Sequence, residues 1–165
     1  MLRPTTSSRR MPGPTTCGPP EEGIRALTQP VILLSLVRET RGYIERVSNQ
    51  INGAYENGWY DACAVMLRRL IETLIIEAFE YHRVAAKIQN SNGDFVYLCD
   101  FIDKTLAEPT WNLSRNAKQA LPRPKEIGDK SAHSRRYIAQ RGDIHPLLTD
   151  IRTVVQELLY LASLK

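Results

Sequence analysis

Residues 126–136 combine a histidine with several cationic side chains, and these residue types handle phosphate chemistry. The chemically interesting members of the segment are Asp129, Lys130, His133, Arg135 and Arg136. A histidine titrates near neutral pH, so it can take a proton from a ribose 2′-hydroxyl or return one to a leaving oxygen. Arginine and lysine bind phosphate oxygens through charge-assisted hydrogen bonds. The segment therefore has the side chains to bind a phosphodiester and to cleave one.

The positive charge of the chain is concentrated around this segment. The protein has 165 residues with 22 Lys and Arg against 18 Asp and Glu, a net charge of +4. Residues 113–141 carry eight basic and two acidic side chains, a balance of +6, whereas residues 31–112 have a balance of −3. The basic stretch adds Arg123 and Lys125 to the candidate phosphate ligands. It can bind RNA or a nucleotide by charge, or it can be a solvated connection between helices.

A second charged group interrupts the most apolar part of the chain. Arg68 and Glu72 are four residues apart and Arg69 and Glu72 are three apart, which are spacings typical of ion pairs on a helix surface. If that helix is central, its charged face must meet a polar partner. The sequence leaves two interpretations open: ion pairs on the helix surface, or a shared polar cluster of Arg69, Glu72 and His133. For His133 the alternatives are a structural role, as a partner of backbone carbonyls or of a buried carboxylate, and a role in acid–base chemistry or ligand binding.

No other combination of side chains indicates a reactive centre. His82, His133 and His145 have no metal-ligand spacing with one another or with the cysteines, so we predict neither a metal nor a cofactor. Cys63 and Cys99 fall on apolar helix positions, and we expect both to be small core residues in a reducing cytoplasm. No apolar run approaches the roughly 18 residues that span a bilayer, so no membrane association is expected.

These side chains must be positioned by helices, because helical periodicity runs through almost the whole chain after residue 30. Apolar spacings of three, four and seven predict one helix over 31–56 and a second, the most apolar, over 59–81. Caps and prolines predict a third helix capped by Asp94, then helices over 111–121 and 125–134, and a last helix from Pro146. Trp59 and Trp111, at helix starts, are expected to anchor the packing. The sequence thus predicts an all-α antiparallel bundle with the first two helices as its spine.

Residues 1–30 differ in composition from the rest of the chain. They contain six of the ten prolines, interleaved with Ser, Thr and Gly, and few apolar residues. Such a segment cannot offset the entropy of ordering, so we predict a disordered tail over 1–30 and one folded domain over 31–165. The tail has no apolar stretch typical of a secretory signal, which favours a cytoplasmic location.

Two motifs resemble a known group of helical domains. The pattern Gly128-Asp129-x-x-Ala132-His133 is similar to the Gly-Asn-x-x-Ala-His signature of the domain of unknown function 4145 family. That family belongs to the HEPN superfamily (higher eukaryotes and prokaryotes nucleotide-binding). The segment 61–72 resembles the earlier helix of that family, with its Arg-Arg-x-x-Glu pattern. The resemblance extends over roughly residues 31–163 and implies a HEPN-like helical bundle that forms a homodimer.

The resemblance also implies a range of functions. In many HEPN proteins an Arg and a His from two protomers form a metal-independent ribonuclease site. Here His133 and the polar Asp129 match the motif, but the position of the motif Arg is Gly128, which implies an impaired site. We therefore expect an accessory module, linked to phage defence or toxin–antitoxin systems, that binds RNA or a nucleotide. The alternatives are a toxin-type ribonuclease that uses His133, and a dimerisation module whose basic stretch docks an acidic, antitoxin-like protein.

Overall fold

The computed structural model describes residues 29–165, so the tail predicted over 1–30 lies outside the described residues except for its last two. The prediction of an all-α protein is confirmed for this part of the chain, which has no strand and one isolated bridge between Gln89 and Phe95. Short 3₁₀ turns at Ala85–Ile88 and His145–Leu147 join some of the helices. In chain order the helices are α1 (Leu34–Val37), α2 (Gly42–Glu56), α3 (Tyr60–Tyr81), α4 (Leu98–Ala107), α5 (Arg115–Ala120), α6 (Pro122–His133), α7 (Arg141–Ile144) and α8 (Leu148–Leu161).

Helix α3 is the centre of the bundle, as its apolar pattern predicts. It has no internal glycine or proline, and it makes contact with α2, α4, α6, α7 and α8. Helix α2 packs along it, joined by the turn 57–59, and α6 packs on it at least as extensively. The buried side chains of α3 form one broad face of the helix and are Cys63, Ala64, Leu67, Leu70, Ile71, Leu74, Ile75, Ala78 and Phe79. No helix within residues 29–165 is both long and apolar enough to cross a membrane.

The prediction of one helix over 31–56 is wrong, because the chain turns sharply between α1 and α2. Glu39 has a left-handed backbone with φ of 66°, and its N–H donates to the carboxylate of Glu45 at 2.8 Å. Residues 31 and 32 are buried but lie in a bend before α1 and not in a helix. The side-chain amide of Asn52 holds both the N–H and the C=O of Ile32 at 2.9 Å. Hydrogen bonds from a side chain thus replace helical ones at the start of the fold.

Several predicted helix boundaries also need correction. Asp94 does not cap a helix: its N–H donates to the side chain of Asn90 in a tight turn, and α4 begins only at Leu98. The helix predicted over 111–121 starts at Arg115, because the hydroxyl of Ser114 caps the N–H of Ala117 at 3.1 Å. The next helix begins at 122 rather than 125, since a proline in a first turn has no N–H to leave unpaired.

Two residues expected in the core lie at the surface. Trp59 is exposed over 58% of its area, whereas Trp111 is buried and packs edge-on against Phe79 with ring centroids 4.5 Å apart. Of the two cysteines within residues 29–165, Cys99 is exposed and Cys63 is buried. Burial raises the pKa of Cys63 to about 12. The expectation for Trp111 and Cys63 is confirmed, and that for Trp59 and Cys99 is wrong.

Candidate functional site

Gly128 lies at the closest approach of α6 to α3. A β-carbon at this position would be 2.5 Å from the β-carbon of Arg68 and 2.9 Å from the carbonyl oxygen of Ala64. Such contacts are far inside van der Waals distance, so only glycine allows the two helices to pack this closely. The position where the resemblance expects an arginine is thus a buried packing position in this chain. An arginine at position 128 would force α6 and α3 apart, so this position cannot present a guanidinium group to a phosphate in the observed packing.

Asp129, the next residue, links α6 to α3 through ion pairs. Its Oδ1 accepts from Nε of Arg68 at 2.7 Å, and its Oδ2 accepts from Nζ of Lys125 at 2.5 Å. Partial burial alone would raise the pKa of Asp129, but the hydrogen bonds from Lys125 and Arg68 outweigh it and hold the pKa below its ordinary value. Arg68 also approaches Glu72 at 3.8 Å. Both carboxylate oxygens of Asp129 are therefore occupied by structural partners.

The cluster of Arg69, Glu72 and His133 does not form, and the ion pair of Arg68 with Glu72 matches the other interpretation, ion pairs on the helix surface. Arg69 and His133 are exposed, and neither side chain has a hydrogen bond or ion pair with another described residue. The cluster does not form because of the direction in which α6 crosses α3. Asp129 contacts Arg68, and the residues after α6 return toward the first turn of α3. His133, the last residue of α6, therefore lies toward that end, whereas Glu72 lies further along α3.

The chain beyond His133 is fixed by hydrogen bonds on both sides of a turn. The hydroxyl of Ser134 accepts the N–H of Tyr137 at 3.2 Å, and Oδ1 of Asp61 accepts the N–H of Ala139 at 3.0 Å. Asp61 belongs to the first turn of α3. The turn between these contacts contains Arg135 and Arg136, which are both exposed. The sequence gives no signal for the contact of Asp61, because 78 residues separate it from its partner.

The side chain of Tyr137, in the same turn, forms a hydrogen bond with Asp143. Burial raises the pKa of its phenol to about 12, and a hydrogen bond to Asp143 contributes to the rise. The carboxylate of Asp143 also accepts the N–H of Gln140 at 2.8 Å, in a reciprocal cap at the start of α7. Two carboxylates, Asp61 and Asp143, therefore anchor the segment that follows the exposed arginines.

The five predicted phosphate ligands fall into two groups. Arg123 forms an ion pair with Asp150, and Lys125 is bound to Asp129, so both are partly neutralised within the fold. The other three are exposed and form no ion pair among residues 29–165. Together with the exposed His133 they form a continuous stretch of chain that we call the basic end, made up of Lys130, His133, Arg135 and Arg136.

Within residues 29–165, no three His, Cys, Asp or Glu side chains are grouped so that they could hold a metal ion. The chain matches no protein-family model, no curated protein and no solved structure. The resemblance to HEPN proteins thus stays a prediction, and the functional conclusion depends on the local geometry.

Proposed function

We propose that this protein is a HEPN-like accessory domain that binds RNA through the basic end and does not cleave it. The observation that carries the proposal is the division of the basic stretch. Arg123 and Lys125 have carboxylate partners within the fold, whereas the cations of the basic end have none among the described residues. Cations without internal partners are available for phosphate, and their binding releases counterions from the nucleic acid.

The geometry around Gly128 supports a binding role over a catalytic one. Cleavage of RNA needs a group that holds the phosphate and stabilises the developing charge, in addition to an acid–base residue. Position 128 cannot supply an arginine, and Asp129 already accepts from Arg68 and Lys125. The two motif positions before His133 therefore provide neither a cation for the phosphate nor a free carboxylate. We propose that His133 contributes to binding at the end of α6.

The test of binding is the salt dependence of affinity for a labelled RNA oligonucleotide. Replacement of Lys130, Arg135 and Arg136 by glutamine is expected to weaken binding at least about tenfold. It should also reduce the slope of log K against log salt by about 2, since each phosphate contact on a single strand contributes about 0.7. The matched control replaces three exposed arginines elsewhere, Arg38, Arg46 and Arg83, by glutamine. Equal losses in the two triple variants would contradict a localised site.

The test of catalysis uses the same RNA without added metal. We expect no cleavage by the wild-type protein and none by His133→Ala. Cleavage by the wild type that His133→Ala abolishes would overturn the proposal in favour of a ribonuclease. Absence of both RNA binding and cleavage would also overturn it, and would leave the dimerisation module as the remaining prediction.

A further inference from the structure

Trp59 is a large aromatic side chain that the fold leaves at the surface. It is exposed over 58% of its area, whereas the other tryptophan, Trp111, is exposed over 4%. Trp59 precedes the first residue of α3, in the turn that joins α2 to α3. Ala62 and Val65, which follow Trp59 at successive spacings of three residues, are also exposed. A large exposed indole provides an apolar face that a flat partner group can cover.

The turn that contains Trp59 is fixed to the segment that follows the exposed arginines. Before the turn, the hydroxyl of Tyr55 is 3.0 Å from Nδ1 of His145. After the turn, Asp61 accepts the N–H of Ala139 at 3.0 Å. Trp59 therefore lies between two contacts with residues 139–145. Ile138, next to Ala139, is exposed over 69%. An exposed indole, an exposed isoleucine and the turn with Arg135 and Arg136 thus share one end of the bundle.

We propose that this end of the bundle binds single-stranded RNA, with a base stacked on Trp59 and backbone phosphates held by Arg135 and Arg136. The inference rests on the proposed function and adds the class of RNA. Aromatic side chains beside a cationic track are the usual means of binding single strands, because every unpaired base has a face free for stacking. In a duplex those faces are covered by neighbouring base pairs.

The charge of this surface favours RNA over a second copy of the chain. A symmetric dimer through Trp59 would bring the basic ends of both copies together, and their like charges would repel. A single strand instead supplies phosphates for the arginines and bases for the indole. It therefore satisfies the charged and the apolar parts of the surface at the same time.

The two tryptophans make the proposal directly measurable. In a Trp111→Phe variant all tryptophan emission comes from Trp59, and its folding is checked by circular dichroism. We expect a 12-nucleotide uridine oligomer to quench this emission strongly, and a 12-base-pair RNA duplex to leave it nearly unchanged. If Trp111→Phe does not fold, the complementary variant is Trp59→Leu. The emission of Trp111 in that variant should not respond to the oligomer.

Affinity provides a second readout. Trp59→Ala is expected to weaken binding of the single strand about 5- to 100-fold, the range for loss of one stacked base. Trp59→Tyr should retain most of the affinity, and neither variant should alter the salt dependence. The matched control is Tyr97→Ala, which removes an aromatic side chain that is 82% exposed at the start of α4. Its affinity should equal that of the wild type.

The outcomes separate this inference from the proposed function. Salt-dependent RNA binding with unquenched Trp59 emission and unchanged affinity of Trp59→Ala would overturn the stacking site and leave the proposed function intact. Equal binding of duplex and single strand would do the same. No RNA binding by the wild type would overturn both. Self-association that Trp59→Ala abolishes, without RNA binding, would assign the surface to a second copy of the chain.

Discussion

The α-carbon of Gly128 is so close to Arg68 that a β-carbon added to it would lie 2.5 Å from the β-carbon of that arginine. The close packing of α6 on α3 at this point also determines where the neighbouring motif residues lie. The same α6–α3 contact places Asp129 against Arg68 and sends His133 to the exposed end of the helix. The glycine at the motif position is thus part of how the helices pack.

The first prediction concerns that contact. Gly128→Ala is expected to lower the free energy of unfolding by about 1–3 kcal/mol, because the added methyl group meets backbone as well as side chain. Urea denaturation followed by circular dichroism measures the change. The control is Gly53→Ala in the interior of α2, where a β-carbon has no neighbour within 4 Å. That variant should gain about 0.5–1 kcal/mol from helix propensity. Equal changes in the free energy of unfolding for the two variants would show that the close approach of α6 to α3 does not cause the loss.

A second prediction concerns the pH dependence of stability through Asp129. Its pKa is lower in the folded state than in the unfolded chain, so its contribution is complete above the ordinary value of about 3.9. The contribution is lost as the pH falls through the lower folded value. Asp129→Asn should therefore reduce the free energy of unfolding by about 1 kcal/mol at pH 6 and by progressively less in acid.

The measurement is a set of urea denaturations between pH 6 and the acid limit of folding. Asp103→Asn is the control, because Asp103 is exposed and forms no ion pair with a described residue. A constant difference between Asp129→Asn and wild type across this pH range would contradict the ion-pair explanation.

The third prediction tests the start of the fold. Asn52→Ala removes both side-chain hydrogen bonds to Ile32 and leaves a buried N–H and C=O unpaired. We expect a loss of about 1–3 kcal/mol in the free energy of unfolding, the cost of orphaned buried polar groups. Asn49→Ala, at an exposed position of the same helix, should change it by less than about 0.5 kcal/mol. A similar loss in both variants would point to helix propensity as the cause.

The fourth prediction uses the two thiols of the described chain. In a Cys17→Ser background, an aromatic disulfide reagent at pH 8 should label Cys99 rapidly in the native protein. Cys63 should react only after denaturation, because burial raises its pKa to about 12 and excludes the reagent. Release of one equivalent of chromophore before denaturation and two afterwards is the expected count. Two equivalents from the native protein would show that α3 opens readily.

Apolar periodicity was sufficient to predict the main helices. Helix α3 and the buried stripe of α8 follow the spacing of their apolar residues, and a spacing of this kind is a local property. The sequence gives no indication of the break before α2, because the break depends on a left-handed Glu39, a conformation for which glycine or asparagine is the normal signal. The sequence does not show the exposure of Trp59, because the residue type and its place at a helix start do not determine whether a tertiary partner covers it.

The candidate site was predictable only in its residue types. The ion pair of Arg68 with Asp129 joins residues 61 apart in the sequence, and helical spacing cannot tell which of two adjacent arginines faces a partner. The sequence favoured Arg69, which lies on the exposed side of α3. The distance between α6 and α3 is a tertiary property, so the reason for glycine at position 128 could not be obtained from the motif.

The central place of α3 also determines how the protein opens. Five other helices pack on α3, so its amide hydrogens exchange with water only when those neighbours separate. Local fraying of a peripheral helix such as α4 leaves α3 protected. Deuterium uptake in the middle of α3 therefore reports the stability of the whole bundle, and uptake at the turn after His133 reports only the hydrogen bonds that hold that turn.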